Sequence, residues 1–156
     1  MPDWLSHLLI ALIIAEVFGI KKKSLVVFGA LAPDILPKIQ LLFFYFELPP
    51  VVSFINFHTP FMMLLSGIII APLFRYDKFK TFLFFSIGAA SHFLSDLTMK
   101  HFTIMGTRLL YPISTANYTL NWIWPEQSIY ILIASLIIYL SIRIVKRNKF
   151  ITQQQS

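Results

Sequence analysis

Five apolar stretches, each long enough to cross a lipid bilayer, constrain what this chain can fold into. They run from about Trp4 to Ile20, Ser24 to Phe46, His58 to Phe74, Phe79 to Leu97 and Gln127 to Val145. Each has roughly 17–23 residues, which at about 1.5 Å per helical residue covers the roughly 30 Å of hydrocarbon in a membrane. Charged residues make up 13% of the 156 and hydrophobic ones 57%, whereas about a quarter of an ordinary soluble domain is charged. A soluble chain this short could not hide so much apolar surface, because small domains leave much of their surface exposed. The expected fold is therefore all-α: a polytopic membrane helical bundle of about five transmembrane helices in one integral membrane domain, residues 1–156. The second helix should be broken at Pro33 and Pro37, since proline lacks the N–H a helix needs and clashes with the preceding turn. The fifth stretch, free of charge before Arg143 and of proline and glycine, reads as a plain anchor over 127–147, followed by a tail at 148–156.

Charge sets the expected orientation. The formal net charge of +6 is gathered in three short clusters, Lys21–Lys23, Arg75 with Lys78 and Lys80, and Arg143–Lys149, each against an apolar run. Alternating crossings put all three on one side, the cytoplasmic one by the positive-inside rule. The N-terminus would then lie outside and the C-terminus in the cytoplasm of a multi-pass cell-membrane protein. No basic face interleaved with aromatics appears, so nucleic acid is excluded as a partner; membrane lipid is the expected one. Without cysteine, any metal must be held by nitrogen and oxygen. The first stretch carries its positive charge after the apolar run, unlike a signal peptide, and reads as a retained helix. Glu16, close to Lys21, reads as the partner of a lysine.

Against this background a few ionisable residues stand out, because such groups are expensive inside a membrane segment and mark function there. His92 and Asp96 form an HxxxD pair in SHFLSD. Side chains four apart share a helix face, so an imidazole and a carboxylate there can grip one ion. Measured along each helix from the basic edge, His7, Asp34, His58, His92 and Asp96 lie at heights of about 21, 16, 25, 18 and 24 Å. They fall in one layer of the outer half of the bilayer. Neutral imidazole with carboxylate suits a divalent metal ion, Zn²⁺ first, with Mn²⁺ or Fe²⁺ in a more oxygen-rich site. Each residue also has a plainer reading: a His–Asp hydrogen bond for the pair, a helix cap for Asp34 between two prolines, an interfacial histidine for His58 and His7. His101, beside Lys100 in a polar loop, reads as solvated.

With these residues in hand, the chain resembles the membrane-bound metal-dependent hydrolase family, whose bacterial members include LexA-regulated inner-membrane hydrolases. MPDWLSHLLIA resembles its histidine-bearing start, GALAPDI its Pro-Asp motif, and FHTPF its His-Thr-Pro element. ASHFLSDLTMKHFTIMGTRLLYPIS is similar to its most specific signature, HxxxD followed by threonine, glycine and Leu-Leu-Tyr-Pro. The resemblance covers most of Met1 to Ser114 and implies a hydrolase core within 1–126, with functional positions at His7, Asp34, His58, His92 and Asp96. At the level of fold the pattern is also similar to zinc-dependent phospholipase C. The chain departs from the family at Leu36, where many members carry a second acid, and at Ser53, where many carry a histidine.

Together these readings lead to the expectation of a membrane-embedded metal-dependent hydrolase acting on a lipid ester or lipid phosphate. The metal would activate water, and Asp34 or Asp96, when not a ligand, would act as general base. Arg108, in GTRLLYP, is the expected phosphate clamp, since guanidinium binds phosphate in a bidentate way; its plainer reading is an interfacial arginine touching lipid headgroups. Trp122 and Trp124 fit an aromatic belt at the outer interface. The alternative is a non-catalytic small membrane transporter or ion-binding protein using the same His/Asp cluster.

Overall fold

The computed structural model describes residues 4–46, 57–100 and 107–155. Among them the chain forms five α-helices: α1 (Trp4–Val17), α2 (Lys23–Tyr45), α3 (Pro60–Ile70, continued by a 3₁₀ turn, Ala71–Leu73), α4 (Lys78–Thr98) and α5 (Ser128–Gln155, entered through a 3₁₀ turn, Pro125–Gln127). The described residues contain no strand, only isolated bridges between Met99 and Ile123 and between Thr107 and Tyr118.

Local chemistry sets the helix ends. α1 stops where Gly19 adopts φ 64°. The Ile20 amide reaches back to the Ala15 carbonyl and the Gly19 amide to that of Glu16, at 2.8 and 3.2 Å, which is a Schellman closure. Thr59 caps α3 by accepting from the Met62 amide at 3.4 Å, with Pro60 in the first turn. Proline is tolerated there because its missing N–H would have had no helical partner. Asp77 caps α4 through the Lys80 amide at 2.7 Å, as short acidic side chains do at helix starts.

The expected break in the second helix does not occur: α2 runs unbroken through Pro33 and Pro37. A proline removes one backbone hydrogen bond and crowds the preceding turn, and neighbouring groups can take up what is freed. The carbonyls that lose a helical donor are those of Gly29 and Pro33; beside them the ring of His92 on α4 bonds the Ala30 carbonyl at 2.8 Å. α5 also outruns expectation, continuing to Gln155 through the residues read as a tail. Nothing from Arg143 to Gln155 is proline or glycine, the residues that stop helices.

Helices α2 and α4 meet at backbone contact. A Cβ added to Gly29 would lie 2.0 Å from the Phe85 carbonyl oxygen, and one added to Gly88 would lie 2.0 Å from that of Val26. Small residues at such a crossing let two backbones approach in the absence of a water-driven hydrophobic force. Around the crossing lie two buried clusters, Ala11, Ala15, Ile20, Val26 and Ala30 on one side and Ala32, Met63, Phe85, Ala89 and Phe93 on the other. α5 packs along α1 but leaves Ile133, Leu136, Ile137, Ile138 and Leu140 exposed, as α3 leaves Leu64, Leu65, Ile68 and Ile69. Apolar faces of this extent mark a surface that meets lipid or another protein.

Among the described residues, fewer helices than the five expected are long and apolar enough to span by themselves. One helix, Pro125–Gln153, is long and apolar enough to cross a membrane, while Trp4–Val17 and Pro60–Leu73 are shorter apolar helices. Fourteen residues of α1 reach about 21 Å, short of a hydrocarbon core of about 30 Å. α2 and α4 carry their length together with polar and charged residues, Asp34 and Lys38 in one and His92 and Asp96 in the other.

Contacts place the three basic clusters at one end of the molecule. Glu16 pairs with Lys23 after α1 and with Arg143 and Lys146 of α5, and the Lys22 ammonium lies over the ring of Tyr76, 5.5 Å from its centroid. Glu16 has a lysine partner, as expected, and is also the point at which α5 is fastened to the rest of the bundle.

Candidate metal centre

At the opposite end, four chain segments each contribute to one cluster. His7 lies one turn into α1, Asp34 in the second half of α2, His58 just before the Thr59 cap of α3, and His92 with Asp96 in the last two turns of α4. His7, Asp34, His92 and Asp96 are each at most 1% exposed, and the side chain of His58 is 19% exposed.

The five side chains converge on one another. Asp96 Oδ1 lies 3.4 Å from His7 Nε2, while its Oδ2 lies 3.1 Å from His58 Nε2 and 3.4 Å from His92 Nε2. Asp34 Oδ1 lies 3.7 Å from His58 Nε2 and 3.9 Å from His92 Nε2, and the two Nε2 atoms are 3.0 Å apart. The rings of His7 and His92 stack with centroids 4.1 Å apart. Two overlapping groups, His7–His92–Asp96 and Asp34–His58–His92, each hold their ligand atoms within 4.8 Å of one another. Ligands about 2.0–2.2 Å from a common ion sit about 3–3.5 Å from each other, a spacing met by the three Asp96 contacts and the His58–His92 pair, with Asp34 Oδ1 slightly farther out.

Orientation supports the same chemistry. The Ala30 carbonyl can only accept, so the Nδ1 of His92 that faces it at 2.8 Å carries the proton. In the neutral ring Nε2 is then a lone pair aimed at His58 and both carboxylates. A ligating histidine ordinarily donates its other ring N–H in this way, to a carbonyl or a carboxylate.

Hydrogen bonding within the cluster does not complete it. Neither ring nitrogen of His7 has a hydrogen-bond partner among the described residues, nor does Asp34 Oδ1. A buried polar atom left in that condition costs about 1–3 kcal/mol. Two carboxylates share the cluster with a single lysine. A divalent cation answers both deficits, by accepting the lone pairs and by balancing the carboxylates. The residues present therefore fit a metal of the nitrogen- and oxygen-binding kind, with three imidazoles and two carboxylates as donors.

One partner is not apparent from the sequence. The Lys38 ammonium bonds Asp34 Oδ2 at 3.1 Å, which turns Oδ1 toward the histidines, and it also lies over the Trp4 ring, 4.1 Å from its centroid. The signal is present as the four-residue spacing in DILPK, but a helix broken at Pro37 would have separated the two residues. Arg108 is half-buried, just after the bridge from Thr107 to Tyr118. Its segment lies beside the site-bearing end of α4, where the amides of Leu120 and Trp122 bond the carbonyls of Leu97 and Thr98 at 2.7 and 3.0 Å. Ser53 and His101 lie outside the described residues.

The sequence model of a protein family described as "YdjM inner membrane protein" matches residues 2–153. No curated protein and no solved structure matches the chain.

Proposed function

Since the chain belongs to the YdjM inner membrane protein family, we propose that it is a multi-pass membrane protein that holds a divalent metal at His7, Asp34, His58, His92 and Asp96 and hydrolyses a lipid ester or lipid phosphate there. The observation that carries this reading is the convergence of five donor side chains from four segments at one buried point. The basic end, with its three clusters, faces the cytoplasm by the positive-inside rule, so the site lies toward the outer face with the C-terminus inside. In this arrangement α1 and the α3 segment, too short to span alone, cross a bilayer that thins locally around the bundle.

When bound, the metal supplies a Lewis acid for the substrate oxygen and activates water as a nucleophile near neutral pH; zinc is the first choice, with manganese or iron as alternatives. The protein's own residues do the rest. His92, held by the Ala30 carbonyl, is the fixed donor around which the others gather. Asp96 faces all three histidines and is the central carboxylate. Asp34, whose Oδ1 has no hydrogen-bond partner among the described residues, is the second carboxylate donor, and takes the part of general base toward water only when it is not a ligand. Burial of the cluster excludes bulk water and strengthens each of these charge interactions. Arg108 serves as the clamp on a phosphate at the outer segment.

Elemental analysis of detergent-purified protein tests the reading. Wild type should carry stoichiometric divalent metal, and His92→Ala and Asp34→Ala should lose most of it. A wild type without stoichiometric metal would sink the proposal. Retained metal with no hydrolysis of any phospholipid or lipid phosphate would instead assign the site to ion binding or transport.

A further inference from the structure

We infer that Lys38 is a second anion-recognition residue of this site besides Arg108, holding a phosphate-type oxyanion of the substrate beside the His/Asp cluster; the inference rests on the metal-site reading above. Lys38 stands apart from the three basic clusters, at the other end of the molecule, in the C-terminal half of α2, where its sequence neighbours Pro37 and Ile39 are apolar. A lysine in such a segment is expensive and is kept where its charge is used. Its ammonium grips Oδ2 of Asp34 at 3.1 Å while Oδ1 of the same carboxylate faces His58 and His92. The cation and the donor cluster thus flank one carboxylate, so a phosphate group, with oxygens diverging from one phosphorus, could reach both from the exposed side of Asp34.

Exposure gives the direction of approach. His7, Asp34, His92 and Asp96 are buried, whereas the side chains of Lys38 and His58 are 39% and 19% exposed. The open side of the cluster is therefore the Lys38–His58 side. An ammonium has three donors, and among the described residues Asp34 takes one. The Trp4 ring beneath it, 4.1 Å from Nζ, holds the charge in place through its π face without consuming a hydrogen bond to an oxygen acceptor. A neutral carboxylic ester gains little from a cation so placed; an oxyanion gains a charge-assisted hydrogen bond. The substrate class favoured is accordingly a phosphate-bearing one, and its source is either a lipid headgroup or a free phosphate.

The test uses full-length protein in detergent, titrated calorimetrically with inorganic phosphate in one arm and with short-chain phosphatidic acid in mixed micelles in the other. Lys38→Met should weaken binding by about tenfold or more, the usual effect of losing a hydrogen bond to a charged group. Lys38→Arg, which keeps the charge, should stay within about threefold of wild type. Lys38→Arg should keep the metal content and thermal midpoint of wild type; Lys38→Met, which takes the cation from buried Asp34, should lower the midpoint but keep the metal. Binding in the phosphate arm alone, or in the phosphatidic acid arm alone, supports the inference and identifies the source. The inference is overturned if wild type binds neither probe, if Lys38→Met binds both as tightly as wild type, or if Lys38→Met loses metal as Asp34→Ala does, which would make the lysine a prop for Asp34. Metal content of wild type reports separately on the hydrolase reading. A metal-free wild type whose phosphate binding still depends on Lys38 would end that reading and leave the anion site standing.

Discussion

The two ends of the bundle bury carboxylates in opposite ways. At the basic end, Glu16 is 3% exposed and is met by the ammonium of Lys23, by Arg143 Nη1 at 3.2 Å and by Lys146 Nζ at 2.9 Å, the last also bonding its backbone carbonyl at 2.6 Å. Both oxygens are taken by permanent cations, and nothing is left over. At the other end, Asp34 and Asp96 face imidazoles and a single lysine, with Asp34 Oδ1 and the His7 ring nitrogens lacking hydrogen bonds among the described residues. An acid that is fully answered by cations fastens helices. Acids surrounded by lone-pair donors make a place for a cation from outside. The same residue chemistry thus yields a clasp at one end and a receptacle at the other, and the difference lies in whether the partners bring their own charge.

Removing a donor from the receptacle should have the largest effect. His92→Ala and Asp96→Ala should each weaken metal affinity by more than the roughly 100-fold typical of losing an outer-shell partner, read by elemental analysis and competition with a chelator, and should abolish any hydrolysis. Stripping the metal from wild type should lower the thermal midpoint, and zinc should restore it. At a free metal concentration about 100 times the dissociation constant the recovery is worth about 2.7 kcal/mol. Chelator without effect on the midpoint would erase the contrast between the two ends.

Intermediate effects belong to the parts that hold both ends in register. Gly88→Ala forces a methyl into the Val26 carbonyl one turn from His92, and should cost about 1–3 kcal/mol, as overpacking of a tight contact does. It should reduce metal affinity as well, because α2 and α4 carry three of the five donors. Glu16→Gln strips the clasp of its charge. Breaking a buried pair costs about 3–5 kcal/mol, but the cations here are a third to a half exposed and can rehydrate, so about 1–2 kcal/mol is expected. Metal content should stay at the wild-type level; a Glu16→Gln protein that loses metal would mean the two ends are not independent. Trp124→Leu, which removes the ring 3.9 Å from the Lys100 ammonium, should cost about 0.5–1 kcal/mol and leave the metal untouched.

Much of this arrangement is legible in the amino-acid sequence. The first four apolar runs correspond to helices within about four residues at each end and the fifth to the start of α5, which runs on to Gln155, because composition and the basic punctuation between runs are strong signals. His7, Asp34, His58, His92 and Asp96 are legible as a layer because height along a helix follows from residue count alone. What the sequence does not disclose is anything depending on rotation or on the partner helix. The unbroken α2 is an example: two prolines argue for a break, yet the helix runs through both, packed along α4 with His92 on the Ala30 carbonyl. Lys38 is hidden by the same assumption. The backbone contact at Gly29 and Gly88 is equally silent, since a glycine in sequence does not say which carbonyl lies against it.

Chain order carries a consequence for how the protein is made. Donors at positions 7, 34 and 58 precede α4, while His92 and Asp96 arrive together near its end. A nascent chain that has not completed α4 therefore holds at most three of the five donors and lacks both members of the pair that anchors the rest. On the metal-site reading, an ion would find its full set of donors only after the fourth helix is complete, which would make loading a late event in biogenesis.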